Sequence, residues 1–184
     1  MITLPEFNIK DGTILVDYFG DDVEVTVPHG LIIIDKGAFA ANLQLKSVDI
    51  PNTVTVVDDG AFSRCVNLER VTIPNSVGYI GDRAFSDCYS LANVKLPVNL
   101  GMICDAMFLC CESLTSIEIP TCVTTIYHEA FRDCINLESI IIPTSVKEFG
   151  ENVFVGCEKL VITTPKGSAA EKYAKENGIK VKLI

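Results

Sequence analysis

The chain has 184 residues, of which 48% are hydrophobic and 21% charged, a composition typical of one globular domain rather than of a disordered segment. The formal net charge is −9, and residues 1–165 alone carry 10 basic against 22 acidic side chains. This excess of negative charge should repel nucleic acid, so nucleic acid is not expected as a partner. No apolar run approaches the ~20 residues of a membrane-spanning helix, so membrane insertion is not expected either.

The start of the chain does not have the pattern of a signal peptide. Residues 1–10 contain Pro5, Glu6 and Asn8, where a leader would need a basic start and an apolar block of roughly 7 to 15 residues. A leader can be removed from a mature form, or can precede a longer gene product, so the compartment stays open. A cytoplasmic location is expected if Met1 is the native start.

Residues 1–24 are predicted to form an amino-terminal cap or a partial repeat. The segment 7–25 places Asp11-Gly12 between two extended pieces, and this dipeptide is typical of a tight hairpin turn. Residues 2–5 nevertheless stand in phase with residues 25–28. The alternatives are a hairpin cap with a partial first strand, or a chain cut from a longer array.

Residues 25–165 are built on a 23-residue period. Proline, phenylalanine, leucine and cysteine each recur at that step, and chance does not align four columns. The columns are Pro5, Pro28, Pro51, Pro74, Pro97, Pro120 and Pro143; Phe39, Phe62, Phe85, Phe108, Phe131 and Phe154; Leu45, Leu68, Leu91, Leu114, Leu137 and Leu160; and Cys65, Cys88, Cys111, Cys134 and Cys157.

One unit of the repeat, residues 68–91, shows how a coil is built. Val71 and Ile73 alternate with polar residues, which is the period of a short half-buried strand. The apolar residues from Ala84 to Leu91 then fall at the spacing of one or two helical turns. No coil buries its own apolar stripe, so coils stack about 4.8 Å apart. The predicted fold class is an elongated α/β solenoid of short parallel strands and short helical turns.

The cysteine column is expected to contain buried, reduced thiols that pack as small apolar groups, because Asn42 takes the same place one repeat earlier. Zinc would need paired ligands such as C-x-x-C, and the adjacent cysteines here are Cys110 and Cys111. No metal site is therefore predicted. Cys104, Cys110 and Cys122 lie outside the column and are expected to be exposed and oxidisable.

Residues 166–184 reverse the charge, with five lysines against two glutamates, and are predicted to form a carboxy-terminal cap. A capping box at Ser168 precedes a helix expected from about Ala169 to Asn177, and Gly178 is placed to end it. Residues 179–184 alternate apolar residues with lysines. This pattern predicts a final edge strand whose lysines discourage end-to-end association.

The recurring phrase from Val71 to Cys88 closely resembles the BspA-like class of leucine-rich repeats, and the resemblance covers roughly residues 23–160. The tail 167–179 is similar to the terminal segment common in that family. The resemblance implies a right-handed solenoid, no cofactor, and for many members an adhesive or matrix-binding role at the cell surface. A partner that is another protein or an extracellular-matrix component, and a cell-surface or secreted location, are implied in the same way.

No catalytic machinery is visible in the sequence. It has no G-x-S-x-G elbow, phosphate loop, H-E-x-x-H pair or dinucleotide fingerprint, and the BspA-like family has no catalytic motif to carry over. The two imidazoles, His29 and His128, each follow a strand or bend position that should face solvent. An enzyme is not predicted.

The exposed side of the first strand of each coil is the predicted binding surface, since its outward columns vary while the inward columns are monotonous. Within these columns, Lys95 and Glu118 are expected to be cross-strand neighbours whose attraction contributes about 0.2 to 1 kcal/mol. The residues singled out are Arg70, Thr72, Asn93, Lys95, Ser116, Glu118 and Ile141.

A second candidate surface is the irregular coil at residues 96–114. Met107 stands there in the alanine column, and Leu109 with Cys110 replaces a polar pair. Met102, Leu109 and Cys110 are therefore a candidate apolar patch for a partner or for self-association. Drift in a single coil is the alternative explanation.

Two other functions remain as alternatives. The chain is suited to act as a structural spacer in a larger surface protein, which the in-phase residues at its start would fit. A carbohydrate-active enzyme on a parallel β-helix is less well supported, because outward acids such as Asp49 and Glu118 stand three coils apart. That separation is about 14 Å by strand spacing, against the ~5 to 9.5 Å between two glycosidase carboxylates.

Overall fold

A computed structural model describes residues 6–184, and short strands alternate along this part of the chain with turns. The strands are, in chain order, β1 (Phe7–Lys10), β2 (Ile14–Tyr18), β3 (Glu24–Thr26), β4 (Ile33–Ile34), β5 (Ser47–Asp49), β6 (Val56–Val57), β7 (Arg70–Thr72), β8 (Tyr79–Ile80), β9 (Met102–Ile103), β10 (Ser116–Glu118), β11 (Thr125–Ile126), β12 (Ser139–Ile141), β13 (Glu148–Phe149), β14 (Val161–Thr164) and β15 (Lys180–Leu183). The helix α1 (Ala169–Glu176) separates β14 from β15. Within residues 6–184, no helix combines the length and hydrophobicity that crossing a membrane requires.

Apart from the hairpin strand β1 and a break at one coil, the strands pair in parallel with the equivalent strands of the neighbouring coils. On one side of the stack, β3, β5 and β7 form one sheet and β10, β12, β14 and β15 form another. The outward side of these two sheets is called the strand face below. On the second side, β1, β2, β4, β6 and β8 form one sheet and β9, β11 and β13 form another. The fold is a β-solenoid with 23-residue coils.

The columns predicted to point inward form the core. The phenylalanines from Phe39 to Phe154 are buried and stack ring on ring, with centroids 4.9 to 5.6 Å apart and ring planes within 11° of each other. Stacked aromatic pairs are stabilising beyond the area they bury. The leucine and cysteine columns lie beside this stack and are likewise buried.

The third side of each coil is made of turns, so the predicted helical turns are wrong. Alternate N–H groups donate within the coil, as Ser86 does to Arg83, while the others donate to the next coil, as Phe85 does to Met107 at 3.0 Å. Two residues of the coil have positive φ, Arg83 at 54° and Asp87 at 60°. Residues in the left-handed region interrupt an α-helix. The N–H groups of Arg83 and Asp87 donate to the next coil instead, to Asp105 and Leu109. This side is called the turn face below.

The start of the described chain is a hairpin. β1 and β2 pair antiparallel, and the connecting turn contains Asp11 at φ 54° and Gly12 at φ 70°, as the dipeptide predicted. β2 also pairs in parallel with β4 and so joins the second side of the stack. The in-phase residues 2–5 lie outside the described residues.

The tail packs against the last coil. Ser168 Oγ accepts a hydrogen bond from the Glu171 N–H at 3.1 Å, which caps α1 at the predicted place, and Gly178 follows the helix at φ 67°. The ring of Tyr173 stacks on Phe149 with centroids 4.4 Å apart. β15 then adds a parallel strand beside β14, as the alternation predicted.

Candidate ligand-binding face

The ladder of strands is interrupted at one coil on both sides of the stack. On the strand face, residues 93–95 form no strand, and an isolated bridge between Arg70 and Asn93 joins them to β7. On the second side, β8 and β9 belong to different sheets. The turn face stays continuous through the same coil, since the Asp87 N–H donates to Leu109 at 2.8 Å.

The interrupted coil differs from its neighbours inside the core. Met107 is fully buried in a column where Ala84 and Ala130 occupy the adjacent coils. A longer side chain in a close-packed interior forces the backbone around it to shift. The coil keeps the common length of 23 residues, so an insertion does not explain the interruption, and the size of Met107 is a difference whose effect a substitution can measure.

A depression of ≈ 460 Å³ lies on the strand face at the interruption. It is lined by Asn93, Val94, Lys95, Ser116, Ile117, Glu118, Ser139 and Ile141. Five of the seven strand-face residues singled out from the sequence are in this lining, whereas Arg70 and Thr72 are not. The structure therefore brings most of the candidate residues to one concave surface.

The two charged residues of the depression are not paired with each other. Among the described residues, no ion pair joins Lys95 to Glu118, although the sequence predicted that they would be cross-strand neighbours in contact. That prediction is wrong because residues 93–95 do not pair with β10. Both side chains are exposed, so their charges are available to a ligand.

Arg70 is in a different situation from Lys95. Its guanidinium donates to Asp49 Oδ1 at 3.1 Å and to Thr72 Oγ1 at 3.0 Å. A ligand that recruited Arg70 would have to compete with these partners. Arg70 and Thr72 are therefore already engaged with each other and with Asp49, outside the lining of the depression.

The floor and border of the depression differ in polarity. Val94 and Ile117 are buried beneath it, and Ile141 is 43% exposed on its surface. The Asn93 amide and the Ser116 hydroxyl add hydrogen-bonding groups beside this apolar surface. An apolar surface with a few convergent polar groups is the usual composition of a binding site.

The residues of the predicted apolar patch lie on different sides of the coil. Met102 is in β9 on the second side and is 38% exposed. Leu109 and Cys110 are half-buried on the turn face, after the buried ring of Phe108. None of the three lines the depression. Their role in binding stays a prediction.

The cysteine column has a hydrogen-bonding role that the sequence analysis missed. Its thiols are free and buried, as predicted, and each Sγ donates to the carbonyl of a phenylalanine 26 residues earlier at 3.0 to 3.2 Å. Burial raises the pKa of Cys65 to about 12 and that of Cys88 well above its ordinary value. Asn42, in the same column, donates from Nδ2 to Gly20. Cysteine and asparagine can both donate a hydrogen bond from the side chain. Their exchange in one column was therefore the sequence signal that this position needs a hydrogen-bond donor.

The three cysteines outside the column differ from one another. Cys104 is 4% exposed, so the expectation that it would be exposed and oxidisable is wrong. It follows the buried Ile103 of β9, and burial raises its pKa to about 12. Cys110 is half-buried and Cys122 is exposed. Within residues 6–184, no group of three His, Cys, Asp or Glu side chains could hold a metal ion.

His128 takes part in a backbone-supporting column. Its N–H donates to Asp105 Oδ1 at 2.8 Å, and its Nδ1 accepts from the Glu151 N–H at 3.0 Å. Asp82 accepts from the Asp105 N–H in the same way one coil earlier. These hydrogen bonds join neighbouring coils, so they explain His128 by a structural role rather than a catalytic one. His29 is exposed and lines none of the described pockets.

A stack of 23-residue coils with repeating leucine, phenylalanine and cysteine columns defines a leucine-rich-repeat solenoid. The family model for the BspA type leucine rich repeat region matches six copies within residues 32–161, which is more than half of the chain. The chain therefore belongs to the BspA-type leucine-rich-repeat family. Proteins built from such repeats are typically binding modules rather than enzymes. No curated protein matches the chain.

Solved structures with the same fold come from several bacteria. The leucine-rich repeat protein of T. pallidum is 27% identical, with a TM-score of 0.80 over 98% of this chain and 97% of that one. A leucine-rich cell surface protein of Faecalibacterium prausnitzii is 23% identical, with a TM-score of 0.52 over 82% of this chain and 62% of that one. The pneumococcal vaccine antigen PcpA is 16% identical, with a TM-score of 0.58 over 95% of this chain and 45% of that one.

Proposed function

We propose that this chain is a non-catalytic interaction module that binds a protein outside the cell through the depression on the strand face. The observation that supports this most directly is the placement of two unpaired charges of opposite sign, Lys95 and Glu118, in one concave surface. A buried ion pair would already satisfy such charges, whereas exposed unpaired ones are free to select a partner by electrostatic complementarity.

The chemistry of the depression suits a folded protein or a peptide better than a polyanion. A ligand that places a carboxylate near Lys95 and a basic group near Glu118 would satisfy both charges. The exposed part of Ile141 would contact an apolar side chain, and the Ser116 and Ser139 hydroxyls would bond main-chain or side-chain polar groups. A polyanion would be repelled by Glu118 and by the net charge of −9.

A location at the cell surface is part of this proposal. It is supported by the family, and by the F. prausnitzii protein of the same fold, which is described as a cell surface protein. An extracellular-matrix protein is therefore the first class of ligand to test. An adhesive role would follow if such a ligand is found.

The test uses the labelled chain on a panel of purified matrix proteins, with collagen, fibronectin, laminin and fibrinogen as the probes. The double variant Lys95→Glu/Glu118→Lys exchanges the two charges of the depression without changing the net charge. We expect it to lose at least about tenfold in affinity for a bound protein, because two attractions become like-charge contacts. Binding of the wild type should also weaken as salt is raised.

The matched control is Lys147→Glu/Glu148→Lys, which makes the same exchange at exposed positions on the second side of the stack. It should bind as the wild type does. Equal loss in both double variants would contradict a site on the strand face. Failure of every matrix protein to bind would count against the adhesive role and favour the spacer function.

A further inference from the structure

The second side of the stack carries a row of apolar side chains on its outward surface. Ile33 of β4 stands opposite Val56 of β6, and Val56 stands opposite Tyr79 of β8. Met102 of β9 takes the same place one coil further on. Ile33 and Val56 are half-buried, whereas Tyr79 and Met102 are 39% and 38% exposed. These four residues are called the apolar stripe below.

The apolar stripe has the character of a contact surface. A contiguous exposed apolar patch with a polar border is typical of an interaction site. Tyr79 and Met102 stand on either side of the gap between β8 and β9, which belong to different sheets. The thioether side chain of Met102 is flexible, so it can adjust to a ligand at this gap.

Carboxylates border the apolar stripe on one side only. Their positions lie two or three residues after the stripe in the same coils, and they are called the aspartate row below: Asp35, Asp58, Asp59, Asp82 and Asp105. The segments that precede the stripe contain no Asp, Glu, Lys or Arg; they are residues 28–30, 51–53, 74–76 and 97–99. A ligand on the stripe would therefore meet charge along one of its two sides.

Hydrogen bonds to the main chain hold the aspartate row in place. Asp59 Oδ1 accepts from the Asp82 N–H at 3.0 Å, and Asp82 Oδ1 accepts from the Asp105 N–H at 3.1 Å. In Asp35 and Asp58, Oδ1 accepts from the N–H of the following residue. Each carboxylate is thereby fixed through one oxygen, and the other oxygen is left for a ligand.

The negative charge of the aspartate row is only partly neutralised. Lys36 Nζ lies 3.8 Å from Asp59 Oδ2, and within residues 6–184 no other ion pair involves the row. Arg83 follows Asp82 and is exposed. Five acidic and two basic side chains, a net charge of −3, lie in the segments 32–36, 55–59, 78–83 and 101–105.

The charges of the aspartate row reach the apolar stripe. Partial desolvation raises the pKa of Tyr79 to about 12, and the neighbouring Cys104, Asp59, Asp82 and Asp58 add to this shift. Aspartates in successive coils are also only about 4.8 Å apart by strand spacing, so their like charges repel one another. A cationic ligand would relieve this repulsion.

We propose that the apolar stripe and the aspartate row together bind a basic amphipathic helix of another protein. The helix would lie along the axis of the stack, because its rise of 5.4 Å per turn is close to the ~4.8 Å step between coils. Apolar side chains at i, i+4, i+7 and i+11 would contact successive residues of the stripe. Lysines or arginines on one side of them would face the row.

Other occupants fit this surface less well. An extended chain repeats its outward side chain every ~6.6 Å, which does not match the step between coils. An anionic membrane surface would be repelled by the aspartate row. The interaction goes beyond the proposed function, since it uses the second side of the stack and leaves the strand face free.

The test is a fluorescence anisotropy titration of labelled synthetic peptides of about 14 residues, roughly 21 Å as helices, with the full chain. The basic peptide carries leucines at i, i+4, i+7 and i+11 and lysines along one side of them. A second peptide has glutamates in place of the lysines, and a third has the composition of the first in scrambled order. The basic peptide should bind at least about tenfold more tightly than either, and more weakly as salt is raised. No binding of the basic peptide up to about 1 mM would overturn the proposal.

Two double variants locate the contact. Asp82→Asn/Asp105→Asn removes two charges and keeps the Oδ1 acceptors that the main chain uses. Tyr79→Thr/Met102→Thr replaces the two exposed residues of the stripe by threonine, which Thr125 places in the same column one coil further on. Each should bind the basic peptide at least about tenfold more weakly than the wild type does. Unchanged affinity in both would overturn the proposal.

The matched controls make the same kinds of change at exposed positions away from the second side. Glu112→Gln/Glu138→Gln removes two charges, and Tyr89→Thr/Ile135→Thr replaces two apolar residues. Both should bind the basic peptide as the wild type does. Equal loss in a site variant and in its control would show that overall charge or overall hydrophobicity governs binding, and would overturn the proposal.

Two further measurements separate this proposal from its alternatives. Co-sedimentation of the chain with phosphatidylserine vesicles, in the absence of peptide binding, would identify a lipid surface instead. Lys95→Glu/Glu118→Lys should keep its affinity for the basic peptide, and Asp82→Asn/Asp105→Asn should keep any binding of a matrix protein. The contact on the second side and the one on the strand face can therefore fail independently.

Discussion

Cys88 Sγ donates a hydrogen bond to the backbone carbonyl oxygen of Phe62, in the preceding coil, at 3.1 Å. The same buried carbonyl also accepts from the Cys65 N–H at 3.2 Å, so the thiol adds a second hydrogen bond, which comes from the next coil. The thiol therefore links two coils in addition to filling space. This link recurs at each cysteine of the column.

Thiol reactivity should follow this arrangement. In the native protein, Cys122 should react rapidly with an alkylating reagent and Cys110 more slowly, because the first is exposed and the second is half-buried. Cys104 and the column cysteines should be protected, since burial excludes the reagent and raises the pKa of Cys65, Cys88 and Cys104. Mass spectrometry of the alkylated peptides measures the order. Early modification of Cys104 without denaturant would contradict the burial described here.

The phenylalanine stack should dominate the stability of a coil. Phe85→Ala removes a fully buried ring between Phe62 and Phe108, and it should lower the free energy of unfolding by about 3 to 5 kcal/mol. The exposed substitution Thr72→Ala should cost under about 0.5 kcal/mol. Chemical denaturation monitored by circular dichroism compares the two. Equal costs would mean that the stack contributes far less than its burial indicates.

Met107 should behave differently from other core residues. Truncation of a buried Leu or Met to Ala usually costs about 2 to 5 kcal/mol, and Leu91→Ala should fall in that range. Met107→Ala restores the residue of the neighbouring coils, so it should cost less than Leu91→Ala. It should also slow hydrogen exchange at residues 93–103 as strand pairing forms across the interruption. A cost equal to that of Leu91→Ala, with unchanged exchange, would show that Met107 does not cause the interruption.

The helix of the tail should depend on the charge of Glu171. Its carboxylate accepts from Lys175 Nζ and from the Gly167 N–H, and these contacts lower its pKa from the ordinary value. A folded-state pKa below the unfolded one stabilises the folded form above the unfolded pKa, which is about 4.3, and this stabilisation is lost as pH falls through the folded pKa. Hydrogen exchange of α1 should therefore rise on acidification below about pH 4. In Glu171→Gln, exchange should already be faster at neutral pH and should depend less on pH over that range.

The sequence predicted the coils and both capping segments because those features follow from periodic burial and from local turn or capping chemistry. A phenylalanine every 23 residues has to face inward, and Asp11-Gly12 permits few backbone conformations. The turn face was predicted wrongly because Arg83 and Asp87 adopt positive φ although neither is glycine. Their conformation follows from hydrogen bonds to the next coil, which local spacing does not reveal.

The candidate site was predicted in part. Outward columns placed the strand-face residues correctly, because side chains alternate along a strand. The contact between Lys95 and Glu118 was wrong, since it assumed that every coil pairs equally with the next. The depression itself could not be predicted, because it lies where residues 93–95 form no strand beside β10, although the spacing of this coil is the same as that of the others.

The continuous turn face makes the solenoid unequally stiff in different directions. At the coil of residues 93–103, backbone bonds and stacked rings hold the turn face together, whereas the strand face is unpaired towards β10 and the second side is unpaired towards β8. The two gaps lie at different junctions, because Asn93 still bridges to Arg70 and β9 still pairs with β11. The junction between residues 93–95 and β10 is therefore the one where the strand face resists bending least, and such bending would change the width of the depression.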